Sequence, residues 1–134
     1  AGTSTISCSA TQPAFAGGGL TYYNVAFTNT FLGPSSITGL NTFNNLSIAG
    51  PTTVGISTLS ISANQTINGT FTVNAGTSAA YRIAIVSNAI GTTRTLTCAS
   101  IAAMSDVDFR DITIAGAHGT LSGTRLGIAK AIAV

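Results

Sequence analysis

Apolar residues alternate with small or polar ones along almost the whole chain. The pattern runs through Ile6/Cys8, Tyr23/Val25/Phe27, Leu46/Ile48, Leu59/Ile61, Phe71/Val73, Ile83/Ile85, Leu96/Cys98, Val107/Phe109 and Ile112/Ile114. A period of two predicts short strands with one buried face. Clusters of Gly, Asn, Ser and Pro punctuate them at Gly17-Gly18-Gly19, Gly33-Pro34-Ser35-Ser36, Gly50-Pro51, Asn74-Ala75-Gly76 and Gly116-Ala117, and predict turns. Thr, Val, Ile, Asn and Gly dominate, and all disfavour helix interiors. Only the Ala-rich end, Ile128 to Val134, has helical capacity. The chain reads as all-β.

Self-similarity narrows the architecture. Tyr22-Tyr23-Asn24-Val25-Ala26-Phe27 is echoed at Thr42-Phe43-Asn44-Asn45-Leu46-Ser47-Ile48, with Asn24 and Asn45 separated by 21 residues. Further echoes lie at Asn68-Gly69-Thr70-Phe71-Thr72-Val73 and at Ser105-Asp106-Val107-Asp108-Phe109-Arg110-Asp111-Ile112. Steps of roughly 20–25 residues, each carrying two or three short strands, are the signature of stacked coils. The expectation is a right-handed parallel β-solenoid of about five short coils, with an immunoglobulin-like β-sandwich as the alternative. Stacked coils bring like residues into ladders about 4.8 Å apart. Thr, Ser, Val and Asn suit such ladders, and like charges do not.

The charge distribution fits that constraint. Residues 1–81 contain no Asp, Glu, Lys, Arg or His, and all eight charges and His118 fall within 82–134. The 134 residues are read as one domain of charge-free coils (1–81) followed by charged coils and a closing segment (82–134). A net charge of +2 is too small for a nucleic-acid footprint. No run reaches the ~18–20 apolar residues of a membrane span. No signal peptide is visible, and the start at Ala1 reads as the ordered piece of a longer polypeptide. An uncapped, charge-free first coil should be covered by further coils or by another subunit. Cys8 and Cys98, 90 residues apart, read as small buried hydrophobes.

Candidate chemistry is sparse, and no catalytic residue is assigned. Asp106-x-Asp108-x-x-Asp111 is the only acidic cluster. Its close carboxylates make calcium the one metal ligand set to consider, with the acid pair of a polysaccharide-cleaving solenoid as a weaker reading. The simpler reading puts Asp106, Asp108 and Arg110 on one outer face, with Arg110 neutralising its neighbours and Asp111 capping a turn. Tyr22 is the candidate for stacking on a glycan, because alternation sends Tyr23 inward with Val25 and Phe27. His118 sits in a turn, with no Gly-x-Ser-x-Gly elbow to partner it. Gly17-Gly18-Gly19 is followed by no helix pattern and so is no dinucleotide fingerprint. Arg82, Arg94, Arg110, Arg125 and Lys130 could gather at the C-terminal end of the stack and meet an acidic glycan or a neighbouring subunit, but the simpler expectation is scattered, solvated charges.

Some of the wording is familiar. Phe15-Ala16-Gly17-Gly18-Gly19-Leu20-Thr21-Tyr22-Tyr23-Asn24-Val25, followed by Ile37-Thr38-Gly39-Leu40-Asn41-Thr42-Phe43-Asn44-Asn45-Leu46, resembles repeat units of large fibre-like structural proteins. These belong to environmental, especially aquatic, tailed bacteriophages and related bacterial surface proteins. Asp106 to Ile112, then Ala115-Gly116-Ala117, Ser122-Gly123-Thr124 and Leu126-Gly127, is similar to their closing segment. The resemblance implies a structural component of a virion fibre or extracellular appendage. It would assemble with copies of itself or other virion subunits, and would contact host glycans through loops. The alternatives are a carbohydrate-binding or carbohydrate-cleaving solenoid and a self-polymerising bacterial surface filament. An enzyme, a cofactor other than calcium, a nucleic-acid partner and a membrane span are not expected.

Overall fold

The computed structural model describes residues 3–28, 30, 32–75 and 78–129. The first coil holds β1 (Thr5–Cys8) and β2 (Ala14–Ala16), and the second holds β3 (Thr21–Phe27) and β4 (Pro34–Thr38). The third holds β5 (Thr42–Ala49) and β6 (Gly55–Ile61), and the fourth β7 (Gln65–Asn74) and β8 (Tyr81–Ser87). The fifth is built from β9 (Arg94–Ile101), β10 (Met104–Ser105) and β11 (Val107–Arg110). The last has β12 (Ile112–Ala115), β13 (Gly123–Thr124) and β14 (Gly127–Ala129). The chain crosses between two sheets in every coil. One sheet runs β1-β3-β5-β7 and continues through β9 and β10 to β12 and β13; the other runs β2-β4-β6-β8-β11-β14. All pairings among the described residues are parallel.

This is a parallel β-solenoid of six coils. The sandwich alternative fails because its sheets are antiparallel. The step between stacked residues varies from 18 (Leu96 to Ile114) to 31 (Ile67 to Cys98). Asn24 pairs with Asn45, so the 21-residue echo is a true coil register. Leu46 over Phe71 and Ile48 over Val73 extend it. The fourth echo does not continue it, because Val107 to Arg110 stack on Ile83 to Val86 in the opposite sheet. The predicted helical end also differs: Gly127–Ala129 is strand, and residues 130–134 lie outside the described residues.

Apolar columns between the sheets form the core. Val25, Leu46 and Phe71 stack in one column, Phe27, Ile48 and Val73 in the next, and Leu59, Ile85 and Phe109 rise from the facing sheet. All nine are buried. Cys8 stacks on Phe27 and Cys98 on Ile67, which places the two thiols four coils apart, on the order of 19 Å. That exceeds the roughly 7 Å Cα limit for a disulfide, and both are free. Burial pushes the Cys98 thiol up to about 12 and also raises Cys8.

The larger sheet bends at one level in four successive coils. Tyr22 and Phe43 are stacked, and so are Val25 and Leu46, yet each inward pair is separated by two residues rather than one. The outward pairs are Tyr23-Asn24 and Asn44-Asn45, and Ala99-Ser100 repeats them in β9. In β7 three residues, Asn68-Gly69-Thr70, occupy this place, which shifts the register against both neighbouring strands. Such bulges bend a strand. Gly69 fits because a Cβ there would lie 2.5 Å from the Asn44 carbonyl oxygen. An amide ladder ties the bend together. Asn45 Nδ2 donates to Asn24 Oδ1 (2.9 Å), Asn24 Nδ2 donates to Thr5 Oγ1 (3.2 Å), and Thr70 N donates to Asn45 Oδ1 (2.8 Å).

Candidate functional site

Two kinds of corner connect the sheets. In the charge-free coils, the turns entering β5 and β7 are held by buried amides. Asn41 Nδ2 donates to the Thr38 and Gly39 carbonyls and to Gln65 Oε1 at 2.9–3.1 Å, and Gln65 Nε2 donates to the Gly39 and Ala63 carbonyls at 2.8 Å. Gly19 N donates to Asn41 Oδ1 (3.1 Å), so three successive coils are laced through neutral groups. Buried backbone carbonyls need such partners.

In the charged coils single aspartates make the corners. Asp106 lies between β10 and β11, and Asp111 between β11 and β12. Both adopt left-handed backbone conformations, with φ of 58° and 54°. Asp tolerates this region better than most residues, because its short polar side chain can bond locally. The Asp106 side chain is fully buried, at 0% exposure. Arg125 of the next coil donates Nε and Nη2 to its two oxygens at 2.6 Å each. Arg82 of the preceding coil donates Nη1 to Asp106 Oδ1 (3.5 Å), clasps Asp108 with Nε and Nη2 (2.7 and 2.6 Å), and reaches the Arg125 carbonyl (3.1 Å). Arg125, and then Arg82, hold the Asp106 carboxyl below the ordinary carboxylate range. The bonds to Asp108 raise the Arg82 guanidinium, and those to Asp106 raise that of Arg125. One clamp thus spans the last three coils.

Several sequence expectations are corrected here. Asp106 is a buried corner rather than an outward residue, because a one-residue turn removes it from the alternation. Arg82, 26 residues upstream of Asp108, is the neutralising partner in place of Arg110. Asp111 does hold a turn, accepting from Gly91 N (3.0 Å), but at the other end of β11. The three carboxylates of the calcium candidate therefore do not converge. Among the described residues, no three His, Cys, Asp or Glu side chains form a metal-ligand group. The arginines do not gather in one place, in keeping with the simpler expectation, although they are bonded rather than free. Arg82 and Arg125 share the Asp106 corner, while Arg94 (to Asn88 Oδ1, 3.1 Å) and Arg110 (to the Ser87 carbonyl, 3.5 Å) lie by the Asp111 corner. Lys130 lies outside the described residues. His118 is half-buried in the connection from β12 to β13.

The tyrosines exchange roles because of the bend. Tyr22 points inward. Its ring packs edge-on against Phe15 (centroids 4.9 Å apart), and its hydroxyl donates to the Gly17 carbonyl (2.5 Å). Tyr23 points out and is 38% exposed. The glycan-stacking candidate is thus partly buried and packed against the core, and its neighbour is the exposed ring.

The first coil covers only half of the second. β1 pairs with Asn24 to Phe27, leaving Thr21, Tyr22 and Tyr23 without a strand on that side among the described residues. A notch of about 320 Å³ lies there, lined by Ser4, Ile6, Thr21, Tyr22, Tyr23, Asn24 and Asn44. Ile6 heads the Val25 column, yet it is 42% exposed, and Tyr22 heads the Phe43 column. Among the described residues no further side chain stacks on either column head. No charge lies in this part of the chain, so nothing opposes burying it. Sequence reasoning anticipated an uncovered end but missed its stepped shape and the buried amides. The repeated segments Asn41-Thr42-Phe43-Asn44 and Gln65-Thr66-Ile67-Asn68 carry the signal for the amides. Among the described residues no helix is long and apolar enough to cross a membrane. Compared with known proteins, the chain matches no family model, no curated protein and no solved structure.

Proposed function

We propose that the chain is a structural segment of an elongated extracellular assembly, of the kind found in a phage fibre or appendage. It assembles with copies of itself or with other subunits, on the virion or at the cell surface, and its loops contribute to host attachment. The observation that carries this reading is the edge of β3 at Thr21 to Tyr23, which among the described residues has no strand on one side and carries no charge. Natural sheets blunt such edges when they face solvent. Rigidity comes from parallel backbone ladders and continuous apolar columns, and needs no bound group. The acidic residues support the same reading over glycan cleavage, since the carboxylates of Asp106 and Asp108 are engaged by arginines rather than free in a groove.

Gold-labelled antibodies against the chain, imaged on purified native particles, test the proposal. Label along a tail, fibre or surface appendage is the expected result. Label confined to free, monodisperse protein would overturn it.

A further inference from the structure

We infer that the corner between β8 and β9 holds a binding site for the carboxylate of an acidic polysaccharide, built from Arg94 and Arg110. The inference rests on the structural reading above and adds the ligand through which the chain attaches.

Arg94 opens β9 and Arg110 closes β11, and the one-residue corner at Asp111 brings them together. Arg94 pairs with Ile112, and its amide donates to the Asp111 carbonyl (3.0 Å). Both guanidinium heads then reach consecutive residues of the preceding coil. Arg110 Nη2 donates to the Ser87 carbonyl (3.5 Å), and Arg94 Nη2 donates to Asn88 Oδ1 (3.1 Å). Both acceptors are neutral. The carboxylate at this corner, Asp111, accepts from Gly91 N and stands 4.0 Å from Arg110 Nε, beyond hydrogen-bond reach. The two Nε–H groups are covered by the chain and have no partner, so neither arginine is clasped through that edge as Arg82 and Arg125 are.

Charge is therefore unmatched here. The Asp106 corner sets two arginines against two aspartates, whereas this one sets two against Asp111 alone. Two cations held side by side repel, and an anion received between them relieves that repulsion. A planar carboxylate matches a guanidinium best, and the chain itself makes that pairing at Asp106 and Asp108. The Arg110 side chain is 43% exposed, which leaves its outer Nη edge to the ligand. Exposed Asn88, Thr92 and Thr93 flank the pair and carry no charge. Their amide and hydroxyl groups suit the hydroxyls of a sugar.

Nuclear magnetic resonance of the unmodified chain with oligogalacturonate, a polyuronate fragment, tests the site. Amides of residues 88–94 and 110–112 should shift, and neutral dextran should shift none. Polyglutamate should bind more weakly than oligogalacturonate. Arg94→Gln and Arg110→Gln should each weaken the affinity about tenfold, as the loss of one charge-assisted hydrogen bond does. In the double variant, Thr53→Lys and Ala79→Lys restore the net charge at exposed positions leading into β6 and β8, and the affinity should stay lost. Absent shifts, shifts confined to other residues, equal affinity for polyglutamate, or full affinity in the charge-restored variant would overturn the site. If any of these came with label along native appendages, the structural reading would stand and only this ligand would fall.

Discussion

The two halves of this solenoid meet the same requirement by different means. Each corner must satisfy backbone groups that leave the ladders. Around Asn41 and Gln65 this is done with neutral amides stacked coil on coil. At Asp111 a carboxylate accepts from the Gly91 backbone N–H, and at Asp106 the corner carboxylate is itself held from both sides by Arg82 and Arg125. A neutral stack can repeat indefinitely, because amides both donate and accept. A carboxylate cannot stack on its own kind and needs a cation from the adjacent coil. The charge-free half is therefore built for repetition, and the charged half for fixing a particular neighbour. Sensitivity to pH and salt should be confined to the second.

The largest expected effect is common to both halves and gives the scale. Phe71 is fully buried in the column shared by Leu46 and Ile101. Phe71→Ala should cost about 3–5 kcal/mol in denaturant unfolding, from lost transfer energy and the residual cavity. Next comes the neutral corner. Gln65→Leu removes the side-chain donor to the Ala63 carbonyl, the acceptor of the Asn41 backbone N–H and one of two donors to the Gly39 carbonyl, and should cost about 1–3 kcal/mol. Its loss should be the same at pH 3.5 and pH 7, since no titrating group is involved. A pH-dependent loss would erase the distinction between the halves.

The charged corner should behave oppositely. Asp106 is depressed in the folded state, so its contribution is present above the ordinary carboxylate range and fades as pH falls through the folded value, below about pH 4. Hydrogen exchange, corrected for intrinsic rates, should show protection falling in β13 and β14 on acidification, with β3 and β5 unchanged. Asp106→Asn should reproduce that pattern at neutral pH. Salt should weaken this corner only slightly, because the carboxylate is sequestered from water. The smallest effect is chemical. At pH 8 Cys98, raised to about 12, should resist alkylation far longer than the half-buried Cys8.

Much of the fold was legible because strand alternation and the 21-residue echo are local patterns that survive in a linear reading. The stacking of Asn24 on Asn45 follows from that echo directly. The bend was not legible. Two outward residues in succession look like a slip of phase, so the alternation drawn from Val25 and Phe27 carried Tyr23 inward and Tyr22 outward. The Asp106 clamp was hidden for a different reason. Its partners lie 24 residues upstream and 19 downstream, distances fixed by coil lengths that vary from 18 to 31 residues. A turn of one residue also leaves no Gly or Pro to mark it.

The central proposal is that the chain is a structural segment whose first coil is covered by neighbours in an assembly. Residue-resolved hydrogen exchange, on the isolated chain and within its native assembly, tests it most directly. The account predicts that amides of β1, β2 and Thr21 to Tyr23 exchange fast in isolation and become protected in the assembly. Amides of β5 and β7 should be slow in both. Equal exchange of the first-coil amides in the two states would contradict it.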